Sequence, residues 1–159
     1  MDVRTIEFQD TQNLNHVMYL LDVYSKIAFP ERQHGFSNTR ENLIQGLKKQ
    51  ENLLAYGACM DNKPAGVVLG FLNFNIFRAM PFINIHFLYV QKEYQRQGVA
   101  AALMRAIEDR AKELGCCKLT LEVRETNHIA KHIYSRIGYQ NAKFGANESA
   151  LEFWEKNIA

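Results

Sequence analysis

The spacing of apolar residues changes several times along the chain, and each change marks an element. Residues 3–8 alternate imperfectly and predict a first strand. Leu14, Val17, Met18, Leu21, Tyr24 and Ala28 then recur at helical spacing behind Asp10, a residue suited to cap a helix. That helix should end at Phe29, because Pro30 disfavours helical geometry in the residue before it. After a loop over residues 31–37, Asn38 and Glu41 have the spacing of a capping box ahead of Leu43, Ile44 and Leu47. Residues 53–60 and 65–77 predict two strands of a hairpin that turns at Asp61-Asn62-Lys63-Pro64, and residues 82–90 a third strand almost without charge.

The clearest helix is predicted over residues 98–114. Val99, Ala102, Leu103, Ala106, Ile107, Ala111 and Leu114 form one stripe, while Arg105, Glu108, Asp109 and Lys112 supply opposite charges on the other side. Gly115 should end it. Residues 118–123 alternate Leu119, Leu121 and Val123 against Thr120 and Glu122. Asn127 can cap a last helix with Ala130, Ile133, Tyr134 and Ile137 on one face, closed by Gly138, before two final strands over residues 139–144 and 151–156. The order β-α-α-β-β-β-α-β-α-β-β describes an α/β mixture around one sheet, read as a single domain over residues 1–159.

Composition narrows the function classes. With 47% hydrophobic and 23% charged residues in 159, disorder and low-complexity assembly are excluded. A net charge of +2 makes no electrostatic case for nucleic acid or an anionic membrane. The first residues lack the apolar core of a signal peptide, and no apolar run approaches the ~20 residues of a membrane span, so a cytoplasmic protein is expected. Cys59, Cys116 and Cys117 are odd in number and have no metal-ligand spacing; they read as buried, reduced thiols, and no metal is expected.

The sharpest chemical feature is Gln95-Arg96-Gln97-Gly98-Val99-Ala100, which follows a buried-looking strand and opens a helix. Small residues at 98 and 100 let the backbone approach a ligand closely, and the amides and dipole of a helix N-terminus suit a phosphate or pyrophosphate. The Gly-Lys-Ser/Thr ending of a Walker A loop is absent, and so is GxGxxG. A phosphate-loop nucleotide binder is thereby disfavoured.

These residues match the Gln/Arg-x-x-Gly-x-Gly/Ala loop of the GNAT acetyltransferase superfamily, which the chain resembles. The loop follows a strand ending Leu88-Tyr89-Val90, as in that family, and a second stretch, Asn127-His128-Ile129-Ala130-Lys131-His132-Ile133-Tyr134, fits another family element. The resemblance implies a central mixed, twisted sheet of about six to seven strands flanked by about four helices, and acetyl-CoA as cosubstrate. It implies a CoA site between splayed parallel strands, residues 82–90 and 118–123, with Leu88, Tyr89 and Val90 offering backbone to the pantetheine arm. Gln95, Arg96, Gln97, Gly98, Val99, Ala100 and Ala101 would cradle the pyrophosphate. Asn127, Ala130 and Lys131 would lie along the cofactor, and Tyr134 beside the thioester sulfur as acid. By pattern alone, Tyr134 reads instead as a packed core tyrosine.

The acceptor needs a base. A lysine-like amine is nearly all protonated near neutral pH, and neutralising it costs ~4 kcal/mol. Alternation puts Asn84, His86, Leu88 and Val90 on one strand face, which makes His86 a candidate, with Glu122 the second, directly or through a water. The alternative for His86 is a half-buried strand histidine satisfied by a carbonyl. Family members are expected to carry an acidic residue near position 87, where this chain has Phe87. The acceptor pocket is expected from the Phe29 to Ser37 loop, with Glu31, Arg32 and His34, from the strand ending at Asn73-Phe74-Asn75, and from the segment after Tyr139. The expected partners are acetyl-CoA and a small-molecule or peptide amine, with no nucleic acid or membrane. A homodimer through the Leu151-Glu152-Phe153-Trp154 edge is carried over by analogy. The competing reading is a catalytically inactive CoA-binding module of the same fold.

Overall fold

Strand pairing organises the first part of the chain. β1 (Asp2–Thr5), β2 (Leu53–Met60), β3 (Lys63–Asn75), β4 (Met80–Val90) and β5 (Leu119–Leu121) lie in that order in one sheet. The first three pairings are antiparallel, and β4 with β5 is parallel. The helices are α1 (Thr11–Ala28), α2 (Arg40–Lys48), α3 (Val99–Glu113) and α4 (His128–Arg136), and β6 (Lys143–Phe144) pairs antiparallel with β7 (Ser149–Ala150). The computed structural model describes residues 1–30, 39–141, 143–144 and 149–150. These fall into two compact units, Met1–Glu122 and Val123–Ala159. The mixed α/β class agrees with the sequence reading, but the sheet has five described strands rather than six or seven, because β6 and β7 pair only with each other.

Local chemistry explains most boundaries. Asp10 caps α1, its Oδ1 accepting from the Asn13 amide at 2.8 Å, and α1 stops at Phe29, whose N–H donates to Ser25 C=O at 2.9 Å. β1 ends earlier than the alternation suggests: Ile6 and Phe8 are buried without continuing the strand. The β2–β3 turn is only two residues long, since Met60 pairs with Lys63, and Asp61 and Asn62 take positive φ of 48° and 62°. Lys63 and Pro64 are therefore strand residues. Pro64 is accommodated where the register shifts, at Ala58/Cys59. For α2 the N-cap is Thr39, without a side-chain cap hydrogen bond, and Asn38 lies outside the described residues. The strand expected over 139–144 begins only at Lys143, and residues 151–156, with the proposed dimer edge, lie outside the described residues.

Two apolar layers cover the sheet of the first unit. On one face Leu14, Val17, Met18, Leu20 and Leu21 of α1 cluster with Ile6, Phe8, Ala55, Val67 and Leu69, and Leu43, Ile44 and Leu47 of α2 pack against them. An ion pair from Arg40 to Asp22, 2.6 Å, joins α2 to α1. On the other face α3 buries Val99, Leu103, Met104, Ile107 and Ala111, close to the stripe read from sequence. It sits close because two β3 residues have no side chain. A Cβ on Gly70 would come within 2.7 Å of Ile107 Cδ1 and 2.8 Å of Ile83 Cγ2, and one on Gly66 within 2.9 Å of the Tyr89 carbonyl oxygen.

Gly70→Ala should therefore destabilise the protein by ~1–3 kcal/mol through overpacking. In a chain of this length that corresponds to about 2–4 °C of melting temperature per kcal/mol. Urea unfolding measures it, and an unchanged midpoint would refute this close approach of α3 to β3.

Candidate functional site

The β4–β5 ladder is short. Only Ile83, Asn84 and Ile85 pair with Leu119, Thr120 and Leu121, whereas β4 runs on against β3 as far as Val90 opposite Gly66. Beyond Ile85, β4 keeps one paired edge and one edge with no strand neighbour among the described residues. The resemblance implies a cofactor between splayed strands, and the ladder stops where β5 ends, at Leu121.

A bulge sits at the start of the open edge and corrects the sequence reading. Gly70 opposes Ile85 and Leu69 opposes Phe87, so His86 is an extra residue on β4. Uninterrupted alternation would put Ile83 and Val90, seven positions apart, on opposite faces. Both in fact lie on the α3 side: Ile83 with Ile107 over Gly70, and Val90 with Leu103 over Gly66. Phe87 and Tyr89 turn the other way, edge-on to Tyr24 of α1 at centroid distances of 5.0 and 5.5 Å. Asn84, His86, Leu88 and Val90 therefore do not share one face. His86 is exposed, with its ring edge-on to Phe71 at 5.7 Å.

The bulge also aims the backbone. Ile83 N–H donates toward β5, to Lys118 C=O at 3.3 Å, and Gln91 N–H donates toward β3, to Ala65 C=O at 2.9 Å. Counting back by twos from Gln91, Tyr89 and Phe87 direct their peptide groups to β3, and Leu88 and Val90 direct theirs to the open side. Val90 C=O accepts from the Gln95 side chain, 3.1 Å, which ties the open edge to the loop that follows.

That loop leads directly into α3. A single 3₁₀ turn, Lys92–Tyr94, is followed by Arg96 and Gly98 at φ of 61° and 83°. The first helical hydrogen bond runs from Ala102 N–H to Gly98 C=O at 3.0 Å, so the amides of Val99, Ala100 and Ala101 precede the ladder. A Cβ on Gly98 would meet nothing within 4 Å among the described residues. Such a terminus is complementary to a phosphate or pyrophosphate. Gln97 Nε2 donates to Glu93 C=O at 2.7 Å, so the side-chain amides of Gln95 and Gln97 brace the loop from within. The sequence reading missed a further brace, Gln91. It is 8% exposed, donates from Nε2 to Pro64 C=O and accepts from the Tyr19 hydroxyl at 3.4 Å. A glutamine at a strand end carries no pattern signal for such a role.

Glu122 is exposed, one residue beyond β5, and on β5 Thr120 Oγ1 accepts from Asn84 Nδ2 at 3.0 Å. Glu31, Arg32 and His34 lie outside the described residues, while Asn73, Phe74 and Asn75 end β3 with Phe74 exposed. The described residues hold no cluster of three or more His, Cys, Asp or Glu able to bind a metal, and none of their helices is long and apolar enough to cross a membrane.

In the second unit Asn127 caps α4, its Oδ1 accepting from the Ala130 amide at 3.1 Å, which leaves the Nδ2 amide outside the cap. Ala130, Lys131, Tyr134 and Ile137 are half-buried along one stripe; Ile133, read with them from sequence, is 37% exposed. Tyr134 lies 5.9 Å from Tyr139, centroid to centroid, and burial pushes its hydroxyl above the ordinary 10.0, so it stays protonated at neutral pH. Neutral, it can donate a proton or a hydrogen bond.

Comparison with known proteins gives one family. The sequence profile described as "Acetyltransferase (GNAT) family" matches residues 15–139. A thialysine N-epsilon-acetyltransferase of Caenorhabditis elegans is 24% identical over 130 residues, covering 80% of this chain and 79% of that protein. The ribosomal-protein-alanine N-acetyltransferase of Brucella melitensis biovar Abortus 2308 superposes with a TM-score of 0.72 at 18% identity, over 96% of this chain and all of that one (100%). The aminoglycoside acetyltransferase AAC(6')-Iy, solved with a bisubstrate analogue of CoA and acetylneamine, gives 0.75 at 16% identity, over 99% and 98% of the two chains. At these identities the structural matches speak for the fold.

Asn127→Ala should remove the cap of α4 at ~1 kcal/mol, while Asn127→Asp should keep it. Amide hydrogen exchange along α4 checks this: faster exchange in the alanine variant alone is expected, and equal protection in both would mean that the cap does not hold the helix.

Proposed function

The chain belongs to the GNAT acetyltransferase family, and on that premise we propose that it moves the acetyl group of acetyl-CoA to a primary amine by direct attack in a ternary complex. The acceptor is the amine of a small molecule, or a lysine or N-terminus of a protein. The observation that carries this reading is the open edge of β4 at Leu88 and Val90, continuous through Gln95 with the amides that open α3. A pantetheine arm carries amides able to pair along a strand edge, as an added strand would. The pyrophosphate suits the amides of Val99, Ala100 and Ala101. The family profile spans residues from both units, which supports reading them as one acetyltransferase domain.

The roles follow from what each group can do. The acceptor amine must lose its proton before or during attack, and His86 and Glu122, both exposed, are the groups assigned to remove it, directly or through water. Tyr134 is assigned to the departing thiolate, because a neutral phenol donates to a developing negative sulfur. Asn127 Nδ2, Ala130 and Lys131 are assigned to the cofactor along α4. Holding both reactants together supplies much of the acceleration without a covalent intermediate, since well-oriented neighbours reach the equivalent of ~7–11 kcal/mol.

Two measurements test this. Acetyl-CoA at about 100 times its dissociation constant should stabilise the protein by ~2.7 kcal/mol, with ATP and NAD as controls. Gly98→Ala should weaken that binding; Gly115→Ala, also at positive φ with open space, carries the same backbone strain at the other end of α3 and should not. Equal losses in both would mean strain alone. For the chemistry, Tyr134→Phe should lower turnover about 10²-fold over an amine panel read by thiol release, with acetyl-CoA affinity retained. Unchanged turnover would remove Tyr134 as the acid.

A further inference from the structure

Outside that site, Cys59 near the end of β2 and His16 of α1 form a hydrogen-bonded thiol–imidazole pair. Cys59 Sγ lies 3.7 Å from His16 Nδ1, and His16 Nε2 lies 3.2 Å from Gly66 C=O. A carbonyl only accepts, so Nε2 carries the proton and Nδ1 turns its lone pair to the thiol. The ring is 4% exposed, and its seat is built for it: a Cβ on Gly57 would come within 3.0 Å of Nε2. Burial lowers the imidazole pKa below 6.5, the Gly66 hydrogen bond opposes this and the Arg4 charge adds to it, so the ring is neutral at physiological pH and its Nδ1 lone pair is free to take a proton.

The sequence reading made Cys59 a buried, reduced thiol, yet it is only half-buried. With His16 it lines an open cavity of about 300 Å³, whose walls include Arg4, Gln12, Asn15 and Asn62, and Asp2 stands opposite Cys59 on β1. One guanidinium and three carboxamides suit a small molecule bearing an anionic group. Cys116 is pushed above its ordinary pKa by burial and then by Cys117, which disfavours its reactive thiolate.

We propose that Cys59 is the reactive thiol of this chain, a site of modification by small anionic disulfides with His16 as general base. As Sγ attacks one sulfur of the disulfide, its proton passes to His16 Nδ1. The Cys59–sulfur bond forms, the disulfide bond breaks, and the leaving thiolate carries off the electron pair and then takes the proton from His16. Cys59 is oxidised to a mixed disulfide, and the other half of the reagent is reduced to a thiol. Arg4, on the cavity wall, holds the anionic end of the reagent with its guanidinium.

The test follows labelling of the reduced full-length chain by dithiodiglycolate (anionic) and cystamine (cationic), mapped by peptide mass. At about pH 7, Cys59 should react with dithiodiglycolate about ten-fold faster than Cys116 or Cys117. His16→Gln, which keeps a donor for Gly66 C=O, should slow Cys59 about ten-fold, and the deficit should shrink as the pH is raised, because hydroxide then takes the proton in place of the imidazole. Arg4→Gln, at an exposed position, should erase the preference for dithiodiglycolate over cystamine. Labelling of Cys59 no faster than Cys116 in the unaltered protein overturns the proposal without any variant. So does an unchanged Cys59 rate in a His16→Gln protein that melts like the parent.

Discussion

The peptide groups of a central strand alternate between its two edges and need partners on both, and on its second edge β4 has a strand ladder of only three residue pairs. An unpaired buried peptide group costs ~1–3 kcal/mol, so an edge exposed in this way has to face water or a ligand. The β4 edge stays ordered because its other side is paired to Val90 and because Gln95 and Gln91 hold its end. The open side therefore keeps its shape, with Val90 C=O bound by Gln95 and the peptide groups of Leu88 turned to the gap. The features of the candidate cofactor site in the first unit follow from this one unfinished pairing.

The bulge at His86 gives the unfinished edge its direction. Without the extra residue, Val90 would turn from α3, and the peptide groups now aimed into the gap would be those of Phe87 and Tyr89. With it, the aromatic side chains pack toward Tyr24 and the open-edge residues carry Leu88 and Val90 over the α3 face. The close seating of α3 serves the same end. Ile107 over Gly70 and Leu103 over Gly66 hold the middle of the helix against β3, while Gly98 and Arg96 bring its first turn round from β4. Packing on one side of the sheet thus sets where the helix amides begin.

The thiol–imidazole pair uses different parts of the same unit, α1 and the β2–β3 hairpin. Its geometry depends on Gly57 leaving room for the ring and on Gly66 C=O fixing the tautomer. Gly66 therefore serves twice: its missing side chain admits Leu103 of α3, and its carbonyl orients His16 of α1.

Patterns of short range were legible from residue order alone. The Asp10 and Asn127 caps, the end of α1 before Pro30, the α3 stripe and the loop from Gln95 to Ala100 all depend on residues a few positions apart, whose chemistry is local. The family resemblance rests on the same short stretches, which is why the fold class and acetyltransferase membership could be read early. What tertiary structure alone decided involves partners far apart in sequence. The bulge at His86 exists because Gly70 and Leu69 oppose Ile85 and Phe87, and the short β5 ladder because Leu121 is its last pair. Cys59 meets His16 across 43 positions, and Gln91 meets Pro64 across 27. Alternation along one strand cannot register an extra residue whose only evidence lies on the neighbouring strand, and so the facing of His86 was settled by pairing rather than by pattern.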